Sequence, residues 1–67
     1  MNITTMILLG LIKVGNVDKV TNGLAHVEYI TEKENIEYVV LPISHADCKV
    51  REGTKVYFNT EIILGCL

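Results

Sequence analysis

The sequence lacks the features that would mark a membrane-spanning or secreted protein. Its longest unbroken apolar run covers residues 6–12, whereas a membrane-spanning helix needs roughly 20 apolar residues. No Lys or Arg precedes that run, and Lys13-Val14-Gly15 after it is a poor cleavage site, so we expect no cleaved signal peptide. These absences predict a protein that makes no use of a membrane.

Basic charge is also scarce. Six Lys and Arg face eight Asp and Glu, which gives a formal net charge of −2, whereas duplex-binding domains carry a basic patch or stripe. The apolar fraction of 49% excludes a disordered chain. The 67 residues predict one domain over 1–67, close to the lower size limit for independent folding.

Cysteine is too rare to indicate a disulfide framework. Domains of this size that depend on disulfides usually have four or more cysteines, so we expect Cys48 and Cys66 to be free thiols in a reducing cytoplasm. His45-x-x-Cys48, with His26 and Cys66, has the residue types of a zinc site, but the four lie far apart in the chain and include no second close pair. We therefore expect no metal and no cofactor.

Catalysis by a cysteine nucleophile would need an oriented base. Cys48 and His45 have only Asp47 nearby to orient the imidazole, and so small a domain offers little concavity for a substrate. The sequence therefore predicts a protein that is not an enzyme.

The clearest structural signal is Asn22-Gly23, a pair typical of tight hairpin turns. The following residues alternate, with Ala25, Val27 and Tyr29 on one face of a predicted strand. The register before the turn stays open: a regular hairpin places Asp18 opposite Val27, whereas a one-residue bulge places Val17 there.

Further turn signals divide the rest of the chain into short segments. Residues 31–35 are polar and predict an exposed loop, and Pro42 ends the next strand or places it at an edge. Ser44 could cap a single helical turn, and Glu52-Gly53 predicts another tight turn. The remaining predicted strands are Ile36–Leu41, Thr54–Phe58 and Glu61–Leu67.

The N-terminal segment fits two structures. Its apolar spacing is compatible with a helix, but Leu8, Leu9 and Ile12 would make that helix apolar on every face. A first strand from about Met6 toward Val20, bent at Gly15, agrees better with the rest of the pattern. The whole chain then predicts an all-β fold, a small five-stranded half-open barrel of the SH3-like or OB-like kind.

A longer pattern carries a family resemblance. It consists of Gly15-x-Val17-Asp18-x-Val20-x-x-Gly23-x-Ala25-x-Val27-Glu28, then Leu41-Pro42, then Val50-x-Glu52-Gly53-x-x-Val56-x-Phe58. This pattern resembles a family of short, uncharacterised bacterial β-barrel proteins and, more distantly, the small barrel chaperones of hydrogenase maturation. Those chaperones need a cysteine directly after the initiator methionine, where this chain has Asn2. The resemblance therefore implies the barrel fold without the metal chemistry.

The two ends of the chain contain more apolar residues than a small barrel can bury. Consecutive strand residues point to opposite faces, so some of these side chains must face outward and, if the terminal strands pair, form one patch. Such a patch marks an interface, and the edge at Pro42 suits strand addition by a partner. The predicted partner-binding residues are Leu8, Leu9, Leu11, Ile62 and Leu64.

Single-stranded nucleic acid is the alternative ligand. Small barrels bind it by stacking bases on exposed aromatic side chains beside cationic ones, and three tyrosines fall on three predicted strands. The candidate residues for this alternative are Lys19, Tyr29, Tyr38, Arg51 and Tyr57.

Protein interaction is the leading prediction for function. We expect an adaptor, an accessory subunit or an inhibitor that occupies a surface of a larger protein, or else a homo-oligomer. A compact acidic chain of this length also resembles the small host-modulating proteins made by bacteriophages. The expected location is the cytoplasm, which would be that of the host for a phage protein.

Overall fold

The fold is one antiparallel sheet with a short helix before it. The computed structural model describes residues 2–67, apart from the side chains of Ile3 and Leu8. Its elements are α1 (Ile3–Leu8), β1 (Lys13–Thr21), β2 (Leu24–Ile30), β3 (Ile36–Pro42), β4 (Lys55–Phe58) and β5 (Ile63–Cys66). The strand order is β3-β2-β1-β4-β5. The prediction of an all-β fold with five strands is confirmed, and closure into a half-open barrel stays a prediction.

The first hairpin forms at Asn22-Gly23, as the sequence predicts. Both residues have positive φ, 52° and 76°, which is the conformation of the two-residue turn that matches strand twist. Beyond the turn Val20 pairs with Ala25, but the register shifts so that Val17 lies opposite Val27. Asp18 is therefore the extra residue of a β-bulge, which decides between the two registers left open by the sequence.

The prediction that the first strand begins near Met6 is wrong. Residues Ile3–Leu8 form α1, whose first turn is capped by the Asn2 side chain accepting a 2.8 Å hydrogen bond from the Thr5 amide. Gly10, with φ 74°, follows the helix, and β1 begins only at Lys13. The cap and the glycine set both ends of a helix that apolar spacing alone cannot distinguish from a strand.

The core lies on one face of the sheet. Every strand contributes to it, and Val50 from the β3–β4 connection completes it. Gly15 on β1 is buried, and an added Cβ there would come within 2.6 Å of the Glu28 carbonyl oxygen, so this close approach of the chain requires glycine. The buried side chains of the core are Val17, Ala25, Val27, Leu41, Val50, Val56, Phe58 and Ile63.

The prediction of two free thiols is also wrong, because Cys48 and Cys66 form a disulfide. The connection after β3 folds back over the core, with Ile43, Ala46 and Cys48 packed against it. This path brings the Cα atoms of two cysteines 18 positions apart in sequence to 6.0 Å from each other. The helical turn that the sequence allows after Pro42, with Ser44 as its cap, does not form: the Ala46 amide donates to the Ile43 carbonyl in a tight turn instead. The sequence does not predict the proximity of the two cysteines either.

Candidate interaction surface

The structure does not bring the predicted partner-binding residues together at paired terminal strands. β5 is the last strand of the sheet and pairs with β4, and the N-terminal residues form α1 and the turn after it. Leu9 and Leu11 are more than half exposed in that turn, whereas Ile62 and Leu64 are half-buried near or within β5. The side chain of Leu8 lies outside the described part of the structure.

A different apolar surface lies on the outer face of β3. Ile36, Tyr38 and Val40 are 59%, 64% and 48% exposed, and we call these three residues the edge stripe. They alternate along the strand, so their side chains share one face. Ile30 and Leu24 on β2 extend this apolar surface at its two ends.

The edge stripe also has backbone N–H and C=O groups that pair with no strand within residues 2–67. The Thr31 amide donates to the Asn35 carbonyl at one end of the β2–β3 ladder, and the Ile43 amide donates to the Gly23 carbonyl at the other. In an antiparallel ladder every second residue bonds to the partner strand. Asn35 and Ile43 therefore bond on the β2 side, as does every second residue between them. The backbone N–H and C=O groups of the intervening residues point away from β2, and these residues are the edge stripe and Pro42, which has no N–H.

The same pairing makes the edge stripe a continuous template for another strand. β3 is the outermost strand of the sheet and has β2 as its neighbour on one side, so the N–H and C=O groups of the edge stripe point to its open side. The missing N–H of Pro42 lies on that same side, so the template ends there. An added antiparallel strand would find three residues able to exchange hydrogen bonds with it.

Two carboxylates, Glu28 and Asp18, lie near Tyr38 in the middle of the edge stripe. Tyr38 lies opposite Glu28 on β2, and the pKa of its phenol is raised, first by the negative charge of Glu28 and then by partial burial and the charge of Asp18. Residues 24–42 contain four Glu and one Lys, a net charge of −3 with His26 neutral. The other residues contain four acidic and five basic side chains, a net charge of +1. The acidic charge of the protein is therefore concentrated on the β2–β3 hairpin.

A groove of about 670 Å³ lies between the turn after α1 and the tip of the same hairpin. Ile7, Ile12 and Lys13 line one side, and Ile30 and Glu37 line the other. Its walls combine apolar side chains with charges of both signs, so the groove extends the surface of the hairpin without defining one class of ligand.

The residues of the nucleic-acid alternative lie on different parts of the sheet. Tyr29 is on the inner face, where its ring meets Phe58 edge-on at 5.3 Å and its hydroxyl donates to Glu37 at 3.2 Å. Partial burial, then Glu37, raises the pKa of Tyr29. Tyr38 is on the outer face of β3, and Tyr57 is on β4, two strands beyond β2 in the sheet order.

The cations of that alternative do not join the tyrosines into one platform. Lys19 pairs with His26 on the outer face, and Arg51 lies in the connection before β4. Lys13 on β1 contacts an aromatic ring, with its Nζ 5.0 Å from the centre of Tyr29. Binding of single-stranded nucleic acid stays a prediction.

The cysteine and histidine residues do not form the zinc set considered from the sequence. Both sulfurs are bonded to each other, so neither is a thiolate able to bind metal. The His45 ring lies 3.3 Å from the Ser44 hydroxyl. Across the described residues there is no group of three or more His, Cys, Asp or Glu side chains placed to hold a metal ion.

Comparisons with known proteins identify no relative of this chain. No family model, curated protein or solved structure matches the chain. The resemblance to small bacterial barrel proteins therefore stays a prediction. Within residues 2–67, no helix is long and apolar enough to cross a membrane.

The sequence contained a signal for the edge stripe that the prediction did not use. Ile36-Glu37-Tyr38-Val39-Val40-Leu41 places apolar residues on both faces of one strand, and Pro42 marks that strand as an edge. In a single sheet whose core lies on one face, such a strand exposes the apolar residues on its other face. The sequence analysis identified the edge but sought the exposed apolar surface at the two ends of the chain.

Proposed function

We propose that this protein is a non-catalytic interaction module that receives a partner protein on the edge stripe and the open edge of β3. One observation carries the proposal: an exposed apolar row coincides with backbone groups that face away from β2 and pair with no other strand of the described chain, on the same three residues. Such a protein would work as an adaptor, an accessory subunit or an inhibitor.

The physical argument rests on what proteins usually do with sheet edges. Edge strands are normally short, bulged, covered, or interrupted by Pro or an outward Lys, because an open edge pairs with other chains. β3 has seven residues in unbroken register with β2, it contains no Lys, and its Pro is the last residue of the strand. An edge left open in this way suits strand addition, in which backbone hydrogen bonds give affinity and alternate side chains give specificity.

The disulfide also bears on the cellular compartment in which this interaction would take place. The cytoplasmic location expected from the sequence depended on free thiols, and the Cys48–Cys66 disulfide weighs against it because disulfides persist mainly in oxidising compartments. Trapping of free thiols with an alkylating reagent in intact producing cells, followed by mass spectrometry, distinguishes the reducing cytoplasm from an oxidising compartment. Alkylation of both cysteines would support the cytoplasm.

The proposal is tested by affinity capture with matched variants. Tyr38→Lys places a charge in the edge stripe, whereas Leu9→Lys places the same charge at a residue of similar exposure, 61% against 64%, outside the sheet. We expect the wild type and Leu9→Lys to capture the same protein from nuclease-treated lysate, and Tyr38→Lys to lose it. Loss with Leu9→Lys alone would instead support the N-terminal residues predicted from the sequence.

A further inference from the structure

We propose that the partner of β3 is a basic, extended segment that adds to the sheet as an antiparallel strand, with apolar residues at three alternate positions and Lys or Arg on either side. This inference rests on the proposed function and specifies the chemistry of the partner. Three features of the hairpin determine that chemistry: which residues of β3 have backbone groups on the open side, the side chains of those residues, and the charge of the hairpin.

The outward backbone groups of β3 determine which residues of the added segment can bond to it. Ile36, Tyr38 and Val40 each offer one donor and one acceptor on the open side of β3, whereas Pro42 offers no donor there. In an antiparallel pair each of these residues exchanges two hydrogen bonds with the residue opposite. The matching partner segment is therefore a stretch in which every second residue bonds to β3.

The side chains set the pattern of that segment. Residues opposite each other in neighbouring strands have their side chains on the same face, about 4.5–5.5 Å apart. The three bonding residues of the partner would lie beside Ile36, Tyr38 and Val40, which are exposed and apolar. Apolar side chains at these three positions would remove both rows from water.

Charge decides between a basic partner and a second copy of this chain. The hairpin has a net charge of −3, and Glu28 and Asp18 act on Tyr38 strongly enough to raise its pKa. A second copy paired along β3 would bring two such hairpins side by side, and like charges across an interface oppose association. Lys or Arg beside the apolar core of a partner segment would instead be attracted to Glu28, Glu34 and Asp18.

The test uses the full chain and two synthetic peptides. Both have three valines at alternate positions with threonines between them; one has a pair of lysines at each end, and the other has a pair of glutamates at each end. We expect the lysine peptide to protect the amides of Ile36, Tyr38 and Val40 from hydrogen exchange and to bind about tenfold more tightly than the glutamate peptide. Added salt should reduce this difference.

Variants separate the two parts of the inference. Tyr38→Lys should abolish protection by the lysine peptide, and Glu28→Gln should weaken its binding severalfold without changing the unfolding transition of the chain. Leu9→Lys serves as the control and should bind like the wild type. Unchanged binding by Tyr38→Lys would overturn the assignment to β3.

Other outcomes would each overturn the inference in a recognisable way. Equal binding of both peptides would overturn the charge argument, and protection of the same amides by concentration alone would identify a second copy as the occupant. Protection by a single-stranded oligonucleotide instead of either peptide would favour the nucleic-acid alternative. If no peptide binds while lysate capture still depends on Tyr38, the proposed function stands and the basic extended partner does not.

Discussion

The two edges of the sheet are built in opposite ways. At one edge, β5 has four residues, its register with β4 shifts, and the disulfide from Cys66 to Cys48 attaches the β3–β4 connection to it. At the other, β3 has seven residues in regular register, with the edge stripe exposed. Short, irregular and covered edges resist pairing with other chains. The protein therefore protects one edge and leaves the other available, and we expect stability to depend on the first and binding on the second.

The largest expected effect comes from the disulfide at the β5 edge. Replacing both cysteines by alanine, Cys48→Ala with Cys66→Ala, should reduce the free energy of unfolding by about 2–4 kcal/mol, because the unfolded chain regains the entropy of an open loop. Urea denaturation of the variant and of the reduced wild type measures this loss. Val40→Thr at the β3 edge is the control, with an expected change below about 0.5 kcal/mol. Equal losses for both variants would remove the contrast between the edges.

Close packing at the β5 edge gives the next largest effect. A Cβ at Gly65 would lie 2.6 Å from the Tyr57 hydroxyl oxygen and 2.8 Å from the neighbouring ring carbon. Gly65→Ala should therefore cost about 1–3 kcal/mol through overpacking. Combining it with Tyr57→Leu should recover part of that loss, which a double-mutant cycle from thermal unfolding would measure. Strict additivity of the two changes would contradict the contact.

A charge on the open edge should affect association and leave stability almost unchanged. Val40→Lys places an outward cation in the edge stripe, the substitution by which natural edge strands avoid pairing. We expect its free energy of unfolding to stay within about 0.5 kcal/mol of the wild type, because Val40 is 48% exposed. Aggregation during refolding at high protein concentration, followed by light scattering, should fall. Unfolding of this variant would mean that Val40 belongs to the core.

The smallest effects concern the pH dependence of the hairpin. The pKa values of Tyr38 and Tyr29 are raised, so the neutral phenols stabilise the fold below their ordinary pKa of about 10, and this contribution is lost as pH rises through the higher folded values. Glu28→Gln should lower the pKa of Tyr38, and Glu37→Gln should lower that of Tyr29. Titration of tyrosinate absorbance measures both shifts. If neither substitution changes the pKa of its tyrosine, the placement of these carboxylates is contradicted.

The sequence predicted the parts of the fold that depend on local conformation. Asn22-Gly23 fixed a turn through positive φ, Gly53 did the same with φ 88°, and Pro42 ended β3. Val56 and Phe58 lie at alternate positions within the predicted strand Thr54–Phe58, and both are buried on β4. These residues determine backbone geometry within a few positions, so no knowledge of distant contacts was needed.

The predictions that failed concern segments that suit two kinds of secondary structure, or contacts between residues far apart in the sequence. The apolar N-terminal residues suit a helix or a strand, and a single cap from Asn2 favours the helix. The disulfide requires the path of the chain between Cys48 and Cys66, which two cysteines alone do not specify. The sequence marked β3 as a possible edge through Pro42, but the strand order that leaves β3 with one neighbour depends on pairings between distant parts of the chain.

The two-residue turn at Asn22-Gly23 has a consequence for the order in which the sheet assembles. β1, β2 and β3 are joined by short connections, so their pairing closes small loops, whereas β4 must find β1 across a longer stretch of chain. Contacts between near neighbours in sequence form fastest, and we expect the β1–β2–β3 meander to form before β4 and β5 dock. The open edge of β3 would then be exposed from the first moments of folding. The carboxylates on its hairpin would keep nascent chains apart during that time.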